Sequence, residues 1–165
     1  MTRSFLSLGS NLGDRIGYLR AAMAALGRGP RMKVLGKSKV YETAPVEVEE
    51  EQPDYLNCVV ELECGLPAIE LLRYCQGIEA VLGREGKGEK APRTLDIDVL
   101  LFGERTIAEP ELLVPPSGVA RAFNLRALAD IDVDLYIPGR GVVRELLARA
   151  EGGGIRLFGE AEELC

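Results

Sequence analysis

Residues 94–102, Thr94-Leu95-Asp96-Ile97-Asp98-Val99-Leu100-Leu101-Phe102, form the clearest strand signal in the chain. Successive side chains of a strand point to opposite faces. Leu95, Ile97, Val99 and Leu101 are therefore expected to enter a core, while Asp96 and Asp98 project together from the other surface. Aspartate is a poor strand former. Two carboxylates roughly 5–7 Å apart repel by about 2–3 kcal/mol at an effective dielectric of about 20. A sheet that accepts this strand needs apolar cover on one side and a compensating cation on the other.

The remaining segments supply the cover. Residues 3–8 read as a strand, followed by the turn Gly9-Ser10-Asn11-Leu12-Gly13-Asp14, which suits a helix cap. Ile16, Leu19, Met23 and Leu26 recur at spacings of three and four, predicting a helix over 13–27 that Gly27, Gly29 and Pro30 end. Residues 32–43 predict one strand, and 44–53, with four glutamates and two prolines, an exposed loop. Residues 54–63 alternate, with Leu56, Cys58, Val60 and Leu62 on one face and Asn57, Val59, Glu61 and Glu63 on the other. After Pro67, the stripe Leu71, Cys75, Ile78 and Leu82 predicts a second helix with a stop at Gly83.

Residues 84–92 are glycine-rich and basic, the composition of a mobile loop. Residues 110–118 read as extended, 119–129 as a short helix or turn, 131–137 as a strand, and 142–150 as a last helix. The glycine-rich tail 151–165 is expected to be loosely held. The whole chain, 1–165, is expected to be a single domain. Mixed strands and helices with a hairpin between 32–43 and 54–63 predict an α+β fold: a ferredoxin-like α-β-α sandwich around a mainly antiparallel sheet.

Charge and residue content limit the chemistry. With 26 acidic and 20 basic residues the net charge is -6, which gives no overall attraction to nucleic acid. No apolar run reaches membrane-span length, and the first residues do not resemble a signal peptide. Cys58, Cys64, Cys75 and Cys165 form no CxxC pair and read as reduced thiols of a cytoplasmic protein. Histidine is absent, which removes the commonest general base.

Phosphoryl transfer suits such a chain, because it relies on positioning and charge neutralisation more than on a strong base. Asp96 and Asp98 have the hard oxygen donors that magnesium shares with phosphates. Arg84, Lys87, Lys90 and Arg93 precede them, and Arg121 follows. A plain solvent-exposed strand face is the alternative for the aspartates; the basic neighbours favour the functional reading. No GxxxxGK[ST] segment is present, so this is not a P-loop chain.

Four stretches then match a known pattern: Leu8-Gly9-Ser10-Asn11-Leu12-Gly13-Asp14-Arg15, Tyr41-Glu42-Thr43-Ala44-Pro45, Gln52-Pro53-Asp54-Tyr55-Leu56-Asn57, and Ile78 to Arg84 continuing at Pro92-Arg93-Thr94-Leu95-Asp96-Ile97-Asp98. Arg121-Ala122-Phe123 adds a fifth. The chain resembles the 6-hydroxymethyl-7,8-dihydropterin pyrophosphokinases. That resemblance implies a cytoplasmic monomer that moves the β,γ-pyrophosphoryl unit of ATP to a pterin hydroxymethyl group in folate biosynthesis. It implies two magnesium ions on Asp96 and Asp98, with Arg84 and Arg93 also catalytic. Nucleotide contacts would come from Gln76, Glu79, Arg84, Lys87, Arg93 and Arg121, and pterin contacts from Thr43, Val46, Tyr55, Asn57 and Phe123. For Gln76 and Glu79, three apart on a helix, an exposed polar face is the other reading.

The chain departs from the family pattern on the nucleotide side. Pro115-Pro116-Ser117 stands where the family usually has a proline-histidine pair, and Lys90 at the position of a usual tryptophan. A divergent pterin- or nucleotide-binding module with weak or lost catalysis is therefore the second reading.

Overall fold

Asp14 starts the first helix for a local reason: its side chain accepts a hydrogen bond from the Gly17 backbone N–H at 3.1 Å, satisfying one of the unpaired donors at a helix N-terminus. The computed structural model describes residues 1–44, 53–83, 94–150 and 153–164. In chain order it contains β1 (Thr2–Ser10), α1 (Arg15–Gly27), β2 (Met32–Lys37), β3 (Val40–Thr43), β4 (Tyr55–Cys64), α2 (Ala68–Val81) and β5 (Asp96–Phe102). There follow β6 (Ile107–Ala108), β7 (Leu113–Val114), α3 (Ala122–Ile131), β8 (Tyr136–Ile137), β9 (Gly141–Val142), α4 (Val143–Arg149) and β10 (Ile155–Gly159).

The main sheet runs β10-β3-β4-β1-β5, with β2 also paired to β4, and its pairings are antiparallel. Counting β2 and β3 as one interrupted strand gives the βαββαβ order and the 4-1-3-2 arrangement of a ferredoxin-like fold. On one face, Leu6, Leu8, Leu56 and Leu62 pack with Leu19 and Leu26 of α1 and Leu71 and Cys75 of α2. On the other, Phe5, Val59 and Leu101 pack with Leu125 and Leu128 of α3 and Val143 of α4. Burying a leucine side chain stabilises by about 1.5–3 kcal/mol, so both helical layers are held by the hydrophobic effect.

The strand expected over 131–137 shrinks to β8, because α3 runs to Ile131 and Asp132 closes a turn by accepting from the Asp134 N–H at 3.0 Å. Three further expectations change. The single strand over 32–43 divides at Ser38, which is fully buried. The Ser38 hydroxyl accepts from the Val59 N–H at 2.8 Å and donates to the Lys39 carbonyl at 2.7 Å. A side chain thus replaces one rung of the backbone ladder, and the edge re-forms as β3. In β5, Leu101 packs on the α3/α4 side rather than with Ile97 and Val99. A register shift opposite Phe5 and Leu6 inserts Leu100 as an extra residue, and a bulge reverses the alternation beyond it.

The tail is the third. Its residues 155–159 are β10, which pairs with β3, and Leu164 is buried against the α1/α2 side. Arg156 holds this strand by donating to Glu42 at 2.8 Å and Asp54 at 2.9 Å, while Arg15 reaches the other Glu42 oxygen at 2.6 Å. The hydrogen bonds from Arg156 and then Arg15 hold the Glu42 carboxyl below its usual range.

Because Glu42 is more acidic folded than unfolded, its contribution is complete above the unfolded carboxylate value and is lost as pH falls through the folded value. Acidification through that window should lower amide protection across Ile155–Gly159 severalfold, measured against the intrinsic exchange rate at each pH. Glu42→Gln should show the lower protection already at neutral pH. Unchanged β10 protection in Glu42→Gln, read by exchange mass spectrometry, would contradict this role. Among the described residues no helix is long and apolar enough to cross a membrane.

Candidate active site

Cross-strand register builds the site. Gly9 of β1 lies opposite Asn57 on its β4 side and Asp96 on its β5 side, while Ser7 lies opposite Asp98. Neighbouring strands are about 4.8 Å apart, so Asn57 and Asp96 are separated by about 10 Å of sheet floor with only glycine between them. Phe5 of the same face is buried against α3 and α4, whereas at the Gly9 end Phe123 and Asn124 at the start of α3 only border an opening. The result is a cleft of about 300 Å³.

Ser7, Gly9, Asp96, Asp98 and Leu100 form its floor, and Thr43, Ala44, Tyr55 and Asn57 one wall. The opposite rim is Pro116, Ser117 and Gly118 with Arg121, Phe123 and Asn124. Alternation explains the floor: Ile97 and Val99 are buried in the α1/α2 core, Asp96 is half-buried and Asp98 exposed. The wall is fixed by a hydrogen bond from Asn57 Nδ2 to Thr43 Oγ1 at 2.8 Å. The rim is fixed by Asn124, whose Nδ2 donates to the Gly118 carbonyl at 2.9 Å.

The electrostatics of the cleft are anionic at the floor. The Tyr55 phenol is pushed above its ordinary value, first by burial and then by the charges of Asp96 and Asp98. Both carboxylates therefore project their field across the cleft. Among the described residues no group of three or more His, Cys, Asp or Glu side chains forms a closed metal cage. Two carboxylates on an open surface match a hard cation that takes its other ligands from water and phosphate.

Seven residues expected from sequence meet in this cleft: Thr43, Tyr55, Asn57, Asp96, Asp98, Arg121 and Phe123. Gln76 and Glu79 line a separate open depression with Ala80 and Gly83. Their side chains differ: Gln76 is exposed, whereas Glu79 is only 5% exposed, so an exposed polar face does not describe Glu79. Val46, Arg84, Lys87 and Arg93 lie outside the described residues. Sequence reading missed Gly9 and Asn124. The signal for Gly9 was its parity with Phe5 and Ser7, opposite to Leu6 and Leu8.

A sequence model described as 7,8-dihydro-6-hydroxymethylpterin-pyrophosphokinase matches residues 5–133. The chain belongs to this pyrophosphokinase family. Among curated pyrophosphokinases, the 2-amino-4-hydroxy-6-hydroxymethyldihydropteridine pyrophosphokinase of Methylorubrum extorquens is 39% identical over 156 residues, spanning 94% of this chain and 98% of the relative. The enzyme of the same name from Bacillus subtilis is 43% identical over 129 residues, covering 78% of this chain and 77% of its own. Among solved structures, the Plasmodium falciparum HPPK-DHPS superposes with a TM-score of 0.72 at 14% identity, over 90% of this chain. This chain spans 45% of that larger one, and the likeness shows the pyrophosphokinase fold.

Proposed function

We propose that this protein transfers the β,γ-pyrophosphoryl unit of ATP to the hydroxymethyl oxygen of 6-hydroxymethyl-7,8-dihydropterin and releases AMP, a step of folate biosynthesis. One observation carries the reading: Asn57, Gly9 and Asp96 stand in a single cross-strand line inside one cleft. An amide for the edge of a flat heterocycle lies on one side and carboxylates for metal-bound phosphate on the other. The glycine between them leaves the floor clear. A Cβ on Gly9 would lie 3.2 Å from Asn57 Oδ1 and 3.5 Å from the Tyr55 ring.

In this reading Thr43, Val46, Tyr55, Asn57 and Phe123 take the pterin, with the rings of Tyr55 and Phe123 available for stacking. Gln76, Glu79, Arg84, Lys87, Arg93 and Arg121 serve the nucleotide side. Asp96 and Asp98 would hold two magnesium ions, whose chemistry is to neutralise phosphate charge and acidify a coordinated hydroxyl. The protein's own contribution is placement: a bound hydroxymethyl arm directed along the floor toward the aspartates gains the large advantage of an oriented encounter. We further take the chain to act as a cytoplasmic monomer built from one domain.

The test is product identity. Incubated with ATP, magnesium and the hydroxymethyl dihydropterin, the protein should release AMP in a one-to-one ratio with pterin pyrophosphate. Formation of ADP would replace this reaction with a simple kinase step. Absence of AMP, with the pterin still bound, would favour a binding module.

A further inference from the structure

A carboxylate buried in a helix–sheet interface costs several kcal/mol unless a partner compensates for its lost hydration. Glu79 is such a group. It lies on α2 beside the core residues Cys75 and Ile78 and is 5% exposed. Its Oε2 accepts a hydrogen bond from the Ile97 backbone N–H at 2.8 Å. An apolar residue would pack at this position as its neighbours do, but it would leave that N–H without this acceptor.

The location of the N–H gives the bond its meaning. β5 ends the main β10-β3-β4-β1-β5 path, so among the described residues no strand pairs with its outer side. Glu79 supplies an acceptor where another strand would otherwise do so, and a charged acceptor bonds more strongly than a neutral carbonyl. The N–H belongs to the peptide plane joining Asp96 to Ile97. Fixing that plane fixes ψ of Asp96 and φ of Ile97, and through them the relative directions in which Asp96 and Asp98 leave the strand. A second bond reinforces the first: the Thr94 hydroxyl donates to the Gly83 carbonyl at 2.5 Å, tying the approach to β5 to the end of α2.

We infer that Glu79 is a positioning residue, holding the Asp96–Ile97 peptide so that both aspartates meet one metal-phosphate group. The inference rests on the proposed metal role of Asp96 and Asp98 and assigns Glu79 a part beyond nucleotide contact.

The test compares wild type, Glu79→Gln and Glu79→Ala. Calorimetry measures the magnesium-dependent affinity for a non-hydrolysable ATP analogue. Amide exchange measures protection at Ile97, and thermal melting checks folding. Glutamine keeps a carbonyl oxygen at the same reach but not the charge, so its loss of magnesium-dependent affinity should be smaller than alanine's. Alanine should lose about tenfold or more, the worth of one charge-assisted bond of roughly 1.4 kcal/mol or above. Ile97 protection should fall in parallel.

In each variant, affinity and protection should be lost together or kept together. Uncoupling in either direction overturns the inference, as does an alanine variant that loses neither. Should alanine fail to fold, the glutamine variant decides by the same criterion. Wild-type protein that binds the analogue without magnesium dependence would instead remove the metal role of Asp96 and Asp98, and this inference with it.

Discussion

Asp96→Ala and Asp98→Ala should each reduce AMP release by about a thousandfold or more, the scale of losing one preorganised charge at the reacting phosphates. Neither should lower the melting temperature by more than a few degrees. The two effects separate because Asp96 and Asp98 occupy the cleft face of β5, while Ile97 and Val99 supply its core contacts. Removing one aspartate also relieves like-charge repulsion of about 2–3 kcal/mol, so stability is expected to hold or rise. Asp96→Asn and Asp98→Asn keep the side-chain size and remove the charge, and should be nearly as inactive as alanine. A spectroscopic check is independent of turnover. The Tyr55 phenol is raised first by burial and then by Asp96 and Asp98, so its ultraviolet titration should move to lower pH in either variant. An alanine variant that unfolds, or that keeps wild-type turnover, would show that the pair serves the fold and not the chemistry.

Elements with uninterrupted periodicity were legible before the structure. β1, α1, β4, α2 and β5 follow from spacings of two or of three and four, because one hydrophobic face per element decides their conformation. What escaped was decided by contacts distant in sequence. Ser38 divides a strand because its hydroxyl meets the backbone of Val59. The bulge in β5 depends on the register with β1. β10 lacks a sharp apolar pattern, leaving Leu157 and Phe158 exposed, and is held by Arg156 reaching Glu42 and Asp54.

The site divides in the same way. Tyr55 and Asn57, or Asp96 and Asp98, are two residues apart on one strand, so each pair was readable as sharing a face. Parity put Gly9 on the face of Phe5 and Ser7, but its importance as floor lies in which residues flank it across two strands. Glu79 shows the limit of helical spacing. Position three after Gln76 gives the same side of α2, yet one side chain is exposed and the other turns inward to β5.

Asn57 offers the sharpest separation of the two substrates. It is 8% exposed, and its Nδ2 is committed to Thr43 Oγ1. The carbonyl Oδ1 is left on the Gly9 side, where an added Cβ would approach it to 3.2 Å. That oxygen is an oriented acceptor in a partly desolvated wall, suited to an N–H on the edge of the heterocycle. Losing one such bond in a recognition site costs about 1–3 kcal/mol, or roughly tenfold to 150-fold in affinity. Asn57→Ala should therefore raise the pterin Kd by that factor while leaving the Kd for an ATP analogue with magnesium unchanged. Thr43→Val should weaken the pterin less, because it frees Nδ2 without removing the acceptor. Calorimetry with each ligand, at matched magnesium, separates these outcomes. Parallel loss of pterin and nucleotide affinity in Asn57→Ala would mean that the amide braces β3 against β4 and does not read the substrate.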